Sequence, residues 1–373
     1  MILIKNAEVY APEYLGKKDI LLSYDRILQV DDHIDCSLPD VTIIEAEGKI
    51  VTPGFIDQHV HVIGGGGESG LHSRTPELKF SHAVESGVTT LVGMLGTDGY
   101  TRSVESLVAK TKALNHEGIT AYCLTGSYQL PSPTLTGSVA KDIIYLSEVI
   151  GCKLACSDHR SSHPTRQDLI SLLSEVRTAG LISGKPGMLV IHIGPFQDGI
   201  EPLLDILRTT DIPIRHVRPT HMGRHPKQAM ELMNMGGYAD FTASKKLPEL
   251  LKDMWNDVDR AFMTVSSDSN GSAPIWNEDH TAPIGIGIGK MTSLFQCIRD
   301  LVKLGIPFEE ALPLITSNVA KALEIYPRKG LISAGSDADL CLMDRELELQ
   351  TVIAKGQILM QDKNILVKGM FEE

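Results

Sequence analysis

The sequence predicts an α/β protein, built as a (β/α)8 TIM-like barrel with a small β-sandwich domain formed by both ends of the chain. Three observations predict this architecture. The chain has 373 residues, 42% hydrophobic and 22% charged, so it is long enough for one large barrel and a small accessory domain. Its middle alternates between strand-like apolar runs and helix-like segments. Its two ends contain short strand-like runs separated by turn residues.

The two ends of the chain are predicted to meet in one small domain. The first 53 residues contain the strand-like runs ILIKNAEVY, DILLSYDRILQV and VTIIEAEGKIV, and the last part contains DLCLMD and LQTVIAKGQILM. Neither end alone has enough strands for a stable sheet. We therefore expect residues 1–53 and 330–373 to form the β-sandwich domain, with residues 54–329 inserted between them as the barrel.

The inserted region contains eight strand candidates with helix-like segments between them. Helix signals flank two of those segments: Thr75-Pro76 opens one that Gly87 closes, and Ser103 opens one that Gly118 closes. A doubly wound open sheet is the alternative, but it should carry a glycine-rich phosphate loop after its first strand, and GGGGE lacks that spacing. The candidates are FIDQHVHV from residue 55, TTLVGML from 89, ITAYCLT from 119, VIGCKLAC from 149, MLVIHI from 188, IRHVRPTH from 214, YADFTAS from 238 and AFMTVSS from 261.

Composition excludes several classes of partner. The formal net charge of -12 argues against nucleic acid and anionic membranes, which both require a basic surface. The six cysteines are dispersed, mostly inside apolar runs, and form no C-x-x-C pair, which is typical of buried thiols in a reducing compartment. No apolar stretch approaches the length of a membrane helix. We therefore expect a cytoplasmic protein.

Polar residues lie where the predicted barrel strands end. Active sites of such barrels lie at the carboxyl ends of the strands. A lone histidine in an apolar strand is usually a core residue, and Asp268 after two serines could cap a following helix. Lys153 is harder to explain in this way, because a lysine facing the barrel interior loses its hydration unless the strand register turns it outward. The six candidates are His59 and His61 on the first strand, Lys153 on the fourth, His192 on the fifth, His221 on the sixth and Asp268 after the eighth.

The order of these residues carries a resemblance. H-x-H followed by Lys, His, His and Asp on strands one, four, five, six and eight resembles the binuclear metal branch of the amidohydrolase superfamily. Within it, the chain closely resembles the isoaspartyl dipeptidase (β-aspartyl peptidase) family. The matching segments cover nearly the whole chain, and they are PGFIDQHVHVIGGGGE, GMLGTDG, LTGSYQLPS, LTGSVAKD, VIGCKLACSDHRS, SGKPG, PTHMGR, SSDSNGS and GSDADL.

The resemblance implies a binuclear zinc site. Neutral imidazoles and a carboxylate suit Zn²⁺, and burial favours the neutral amine that a lysine needs in order to react with carbon dioxide. Lys153 would then be an N6-carboxylysine that, together with a hydroxide, bridges the two ions. The implied ligands are His59, His61 and Asp268 for one ion, His192 and His221 for the other, and Lys153 for both.

The resemblance also implies the reaction, which is hydrolysis of the β-aspartyl amide bond of a small dipeptide. Asp268 would be general base and then general acid, and Tyr128 would polarise the scissile carbonyl. Glu68 suits the ammonium group of the substrate by charge, and a guanidinium pairs well with its carboxylates. The implied substrate contacts are Glu68, Thr97, Tyr128, Arg160, Arg224 and Ser272. The family further suggests a homo-oligomer, namely an octamer.

Two other functions remain open from the sequence. A dihydroorotase or hydantoinase would share the metals and act on a cyclic amide, but it would not need Glu68 and the paired arginines. A binding protein on a barrel that has lost its activity is the second alternative, although every ligand position is filled. Two segments depart from the family pattern: IGPFQDG after His192, and PIWNEDHTAP at 274–283 beside Asp268.

Overall fold

The computed structural model describes residues 1–36, 40–276 and 283–372. In these ranges the chain forms nineteen strands and ten α-helices. The strands are β1 (Ile2–Tyr10), β2 (Tyr14–Ser23), β3 (Arg26–Asp31), β4 (Thr42–Glu45), β5 (Ile50–Pro53), β6 (Phe55–Val60), β7 (Val88–Gly93), β8 (Thr120–Gly126), β9 (Val149–Cys156), β10 (Met188–Ile193), β11 (Val217–Thr220), β12 (Ala239–Thr242), β13 (Met263–Ser266), β14 (Ser272–Trp276), β15 (Pro283–Ile288), β16 (Leu340–Met343), β17 (Leu349–Ala354), β18 (Gln357–Gln361) and β19 (Asn364–Ile365). The helices are α1 (Phe80–Glu85), α2 (Val104–Glu117), α3 (Val139–Tyr145), α4 (Arg166–Ser183), α5 (Glu201–Thr209), α6 (Pro226–Asn234), α7 (Leu247–Met254), α8 (Ser293–Lys303), α9 (Phe308–Ala311) and α10 (Ser317–Ala322). None of these helices is long and apolar enough to cross a membrane.

Strands from both ends of the chain lie in one nine-stranded sheet. β5 pairs in parallel with β1 and in antiparallel with β16, with Thr52 opposite Cys341, so the first and last parts of the chain are joined by backbone hydrogen bonds. Alternate side chains of these strands, such as Ile2 and Ile4 of β1, are buried in a shared apolar cluster with Leu340 and Leu342 of β16. The division of the chain into a β-sandwich domain and a barrel domain stays a prediction.

The central strands form a curled parallel sheet. β6 to β11 pair side by side in chain order, and β12 and β13 form a further parallel pair. A parallel bridge between Val60 and Ser269, with a 2.9 Å hydrogen bond from the His61 N–H to the Ser269 carbonyl, links the first of these strands to the segment after the last. Every residue of β7, β9 and β10 is buried, as expected for parallel strands covered on both faces. All eight predicted strands are confirmed as strands.

The two helix predictions had different outcomes. α2 begins after Ser103, whose hydroxyl accepts a hydrogen bond from the Ser106 N–H, and it ends at Gly118, so this prediction is confirmed. The prediction that Thr75-Pro76 opens a helix is wrong, because α1 begins after Lys79. The Thr75 hydroxyl instead donates to the Asn270 carbonyl at 2.5 Å and accepts from the Gly65 N–H at 2.7 Å. Thr75 therefore holds the glycine-rich loop against the chain after β13.

Candidate active site

The carboxyl ends of the parallel strands surround a cavity of about 300 Å³. Fourteen of its lining residues carry polar side chains or are glycines from the segments named in the sequence, and Ala273 and Ile286 of the β14–β15 hairpin add an apolar wall. Residues 277–282, in the departing segment 274–283, lie outside the described residues. The predicted site residues that line the cavity are His61, Glu68, Thr97, Tyr128, Arg160, His192, Arg224, Asp268 and Ser272.

His59, His61 and Asp268 form a cluster whose geometry suits a metal ion. One ligand atom from each lies within 4.8 Å of the others. The Oδ1 atom of Asp268 is 3.1 Å from Nε2 of His61 and 3.5 Å from Nε2 of His59. A β-hairpin rather than a helix follows Asp268, so this residue is not a helix cap. Its φ of +54° is in the left-handed region, a strained conformation that is common at functional sites.

Burial by itself would raise the pKa of Asp268, but the neighbouring His59 and the hydrogen bond from His61 outweigh it and hold that pKa well below its usual range. Asp268 is therefore a carboxylate at neutral pH. Burial also lowers the pKa of His59 well below its ordinary value, so that its imidazole is neutral. A carboxylate beside neutral imidazoles is a donor set that binds Zn²⁺.

Lys153 is fully buried, and its side chain points to the histidine cluster, which excludes the outward register. Its Nζ atom is 3.4 Å from Nε2 of His59. Burial lowers the pKa of Lys153 to about 7, so that a large fraction of the amine is neutral at physiological pH. A neutral buried amine next to the histidine cluster is the form that can react with carbon dioxide.

His192 and His221 lie on the other side of His59. Their ring centroids are 4.4 Å apart, and the ring of His221 is 5.1 Å from that of His59. Burial lowers the pKa of His192 to about 3 and that of His221 well below its ordinary value. The left-handed backbone of His221, with a φ of +65°, turns the chain directly after β11. The six metal candidates are thus brought together, and their imidazole and carboxylate groups suit divalent metal ions.

Hydrogen bonds orient the rings of two of these histidines. Nδ1 of His61 is 3.2 Å from the Met94 carbonyl, which can only accept, so Nδ1 carries a proton and Nε2 is the ring atom that faces Asp268. Nε2 of His192 is 3.0 Å from Oδ2 of Asp158, and Nδ1 of this ring faces the Tyr128 hydroxyl. Outer partners of this kind set the tautomer of metal-binding histidines.

Asp158 was missed by sequence reasoning, although it lies in the quoted segment SDHRS. It accepts hydrogen bonds from Nε and Nη2 of Arg160 at 2.9 and 2.8 Å, and its side chain is fully buried. Burial by itself would raise the pKa of Asp158, but the bonds from Arg160 and His192 hold it well below its usual range. One carboxylate therefore orients both a substrate candidate and a metal candidate.

The substrate candidates converge on Glu68. Its carboxylate is 3.1 Å from Nη1 of Arg160, 3.2 Å from the hydroxyl of Thr97 and 3.3 Å from the hydroxyl of Ser272. Arg224 donates to the Ile193 carbonyl at 2.6 Å and lines the same cavity. A carboxylate and guanidinium groups on one cavity wall can bind a substrate that carries both an ammonium group and carboxylates.

Tyr128 lies between the two groups of candidates. Its hydroxyl is 2.6 Å from Nδ1 of His192, and the guanidinium of Arg160 lies 5.5 Å from its ring centroid. Burial raises the pKa of Tyr128 well above its ordinary value, so the phenol stays protonated and can donate a hydrogen bond. Tyr128 therefore contacts a metal candidate, His192, and a substrate candidate, Arg160, at the same time.

Comparisons with known proteins place this arrangement among the amidohydrolases. A model of the amidohydrolase family matches residues 203–359. The crystal structure of a β-aspartyl dipeptidase from the thermophilic keratin-degrading Fervidobacterium islandicum AW-1, in complex with a β-Asp-Leu dipeptide, is 40% identical over 98% of both chains with a TM-score of 0.91. A dihydropyrimidinase structure from Brevibacillus agri NCHU1002 shares the fold at 16% identity and a TM-score of 0.68, over 98% of this chain and 96% of that one. The L-hydantoinase of Paenarthrobacter aurescens is 20% identical over 99% of this chain and 90% of its own length.

Proposed function

The chain belongs to the β-aspartyl dipeptidase family of amidohydrolases, and we propose that it hydrolyses the β-aspartyl amide bond of dipeptides. The observation that carries this proposal is the cavity that joins a metal-binding cluster to Glu68, Arg160 and Arg224. An isoaspartyl dipeptide carries a free ammonium group and a carboxylate beside the scissile amide, and a second carboxylate at its far end. A cyclic amide carries no such set of charges.

We propose that two zinc ions occupy the site. His59, His61 and Asp268 would hold one, His192 and His221 the other, and Lys153 would hold both as N6-carboxylysine. The neutral Lys153 amine attacks carbon dioxide, its nitrogen forms a bond to the carbon, and a proton is released as the carbamate forms. Bound zinc would lower the pKa of water and polarise the scissile carbonyl.

Recognition of the substrate rests on the charged wall of the cavity. Glu68 would bind the ammonium group, and Arg160 and Arg224 would bind the two carboxylates. The hydroxyls of Thr97 and Ser272, which now donate toward Glu68, would contact the same end of the substrate. These contacts hold the scissile amide against the metal cluster.

Two residues act on the scissile bond. Asp268, a carboxylate at neutral pH, takes a proton from the attacking water and then delivers it to the departing amine. Tyr128 donates its phenolic hydrogen to the carbonyl oxygen as negative charge develops there. Asp268 therefore serves as ligand, base and acid in turn.

The architecture supports a further part of the proposal. The bridge between Val60 and Ser269 supports closure of the eight parallel strands into a (β/α)8 barrel made of residues 54–329. The pairing of β5 with β16 supports a separate β-sandwich domain made of residues 1–53 and 330–373. We also propose a cytoplasmic homo-oligomer, an octamer by family resemblance, and light scattering on the purified protein measures its size.

A substrate comparison tests the proposed activity. We expect β-Asp-Leu to be hydrolysed with a kcat/KM at least about 100-fold above that for α-Asp-Leu, dihydroorotate or a hydantoin, because charged groups left unpaired in the cavity reject poor substrates strongly. Metal analysis of the same preparation should give zinc bound in proportion to protein. Faster turnover of a cyclic amide would assign the chain to the hydantoinase type. Bound metal with no hydrolysis of any amide would indicate a binding protein.

A further inference from the structure

β12, the seventh of the parallel strands, supplies no proposed metal ligand. Its side chains are nevertheless hydrogen-bonded to two of the proposed ligands, one directly and one through Thr220. The hydroxyl of Thr242 is 2.6 Å from Nδ1 of His221. The carboxylate of Asp240 is 2.8 Å from the hydroxyl of Thr220, and that hydroxyl is 3.1 Å from Nδ1 of His59. A chain of hydrogen bonds therefore runs from a buried carboxylate to a histidine of the metal cluster.

Asp240 is nearly fully buried and is surrounded by donors. Burial raises its pKa, while the four side-chain hydrogen bonds act in the opposite direction and favour the carboxylate. A buried carboxylate is stable only where its oxygens are satisfied in this way. The four donors are Gln58 at 2.8 Å, Thr220 at 2.8 Å, Thr264 at 3.2 Å and Ser266 at 2.7 Å.

The direction of the hydrogen bonds follows from the acceptor at the end of the chain. The Asp240 carboxylate accepts, so the Thr220 hydroxyl donates its single hydrogen to Asp240. The oxygen of Thr220 is then left to accept, and Nδ1 of His59 must carry the proton. Nε2 of His59, which faces Lys153 at 3.4 Å and Asp268 at 3.5 Å, keeps its lone pair.

We infer that Thr220, oriented by Asp240, is a positioning residue that holds His59 in the tautomer able to bind metal through Nε2. This inference rests on the metal site of the proposed function, but it concerns metal affinity rather than the substrate. Outer partners of metal-binding histidines typically contribute about 10- to 100-fold to metal affinity. Thr220 is therefore expected to contribute on this scale to the ion held by His59.

Three variants of the full chain test the inference. Thr220→Val keeps the shape of the side chain and removes the hydroxyl, and Thr220→Ser keeps the hydroxyl. Thr264→Val is the matched control: Thr264 is also fully buried and also donates to Asp240, but none of its hydrogen bonds reaches a histidine. The zinc dissociation constant is measured by competition with a chelator, and the thermal midpoint of the metal-free protein reports the cost to the fold.

We expect Thr220→Val to weaken binding of one zinc ion by about 10- to 100-fold, and Thr220→Ser and Thr264→Val to stay within about threefold of the wild type. The metal-free forms of both valine variants should lose similar thermal stability, because each removes one donor from Asp240. Wild-type zinc affinity in Thr220→Val, or an equal loss in Thr264→Val, would overturn the inference. If Thr220→Val fails to fold, the zinc affinity of Thr220→Ser tests the inference instead. A tenfold loss of zinc affinity in this variant, which keeps the hydroxyl, would show that the hydroxyl does not position His59. A wild-type protein that binds zinc but leaves β-Asp-Leu intact would refute the proposed activity without touching this inference.

Discussion

Replacing Asp158 with asparagine isolates the charge that orients Arg160 and His192. The substitution keeps the size of the side chain, but it removes the negative charge from a fully buried group that accepts two side-chain bonds from Arg160 and one from His192. The amide oxygen of asparagine can still accept one of the Arg160 bonds. We therefore expect the loss of about one charge-assisted hydrogen bond at Arg160, which is worth about 1.5–3 kcal/mol.

This loss sets the expected change in rate. At 1.36 kcal/mol for each tenfold change, kcat/KM for β-Asp-Leu should fall by about 10- to 150-fold. Part of the fall should appear as weaker zinc binding through His192, so the assay is run at increasing zinc concentrations. The loss of kcat/KM that remains at saturating zinc is attributed to the misplaced Arg160, and it should appear mainly as a higher KM.

A second Arg–Asp pair provides the control. Asp205 pairs with Arg166 at 2.7 Å on the surface, where both side chains are about half exposed, and such pairs contribute about 0–1 kcal/mol. Asp205→Asn should leave kcat/KM and the thermal midpoint close to those of the wild type. The reasoning fails if Asp158→Asn at saturating zinc stays within twofold of the wild type, or if the two variants lose the same activity.

Three other substitutions address separate parts of the molecule. Lys153→Ala should lose bound metal and activity, with partial rescue by acetate or propionate; full metal content with normal turnover would refute the bridging role. Ile286→Asn should lower kcat/KM for β-Asp-Leu relative to β-Asp-Ser by about tenfold, because an apolar pocket contact is worth about 1–3 kcal/mol, whereas Ile284→Asn, two residues along the same strand and outside the cavity lining, should not change this ratio. Lys329→Met should lower the free energy of unfolding by about 3–5 kcal/mol in chemical denaturation, because it removes the cation paired with the buried Asp339, while Asp337 keeps its ion pair with Arg26. Burial by itself would lower the pKa of Lys329, but Asp339 and Asp337 raise it. The stability that Lys329 contributes should therefore be complete below the pKa of an unfolded lysine, about 10.4, and should be lost only as the pH rises above that value. A loss of this stability when the pH is lowered from 9 to 6 would contradict the prediction.

The strand positions were predictable because the pattern that identifies them is local. Each parallel strand is an apolar run of a few residues, and its burial on both faces follows from that composition. The placement of His61, His192 and Asp268 around one cavity, with His59 and Lys153 beside them, follows from the rule that carboxyl ends of parallel strands share an edge. The start of α1 was mispredicted because Thr75-Pro76 has the local signature of a helix start, while the Thr75 hydroxyl is engaged by Asn270, a residue distant in the chain.

The sequence by itself therefore predicted the order of the strands and the polar residues at their carboxyl ends from residue type and local spacing, and the resemblance of its motifs to a known family implied the metal ligands and the substrate contacts. Only the tertiary structure decided which groups orient them. His59 meets Thr220 across 161 positions of sequence, and Asp158 reaches His192 from a loop on the neighbouring strand. A hydroxyl or a carboxylate has no periodicity that marks it as such a partner. Its role is set by the curvature of the sheet, which brings the ends of distant strands within hydrogen-bond distance.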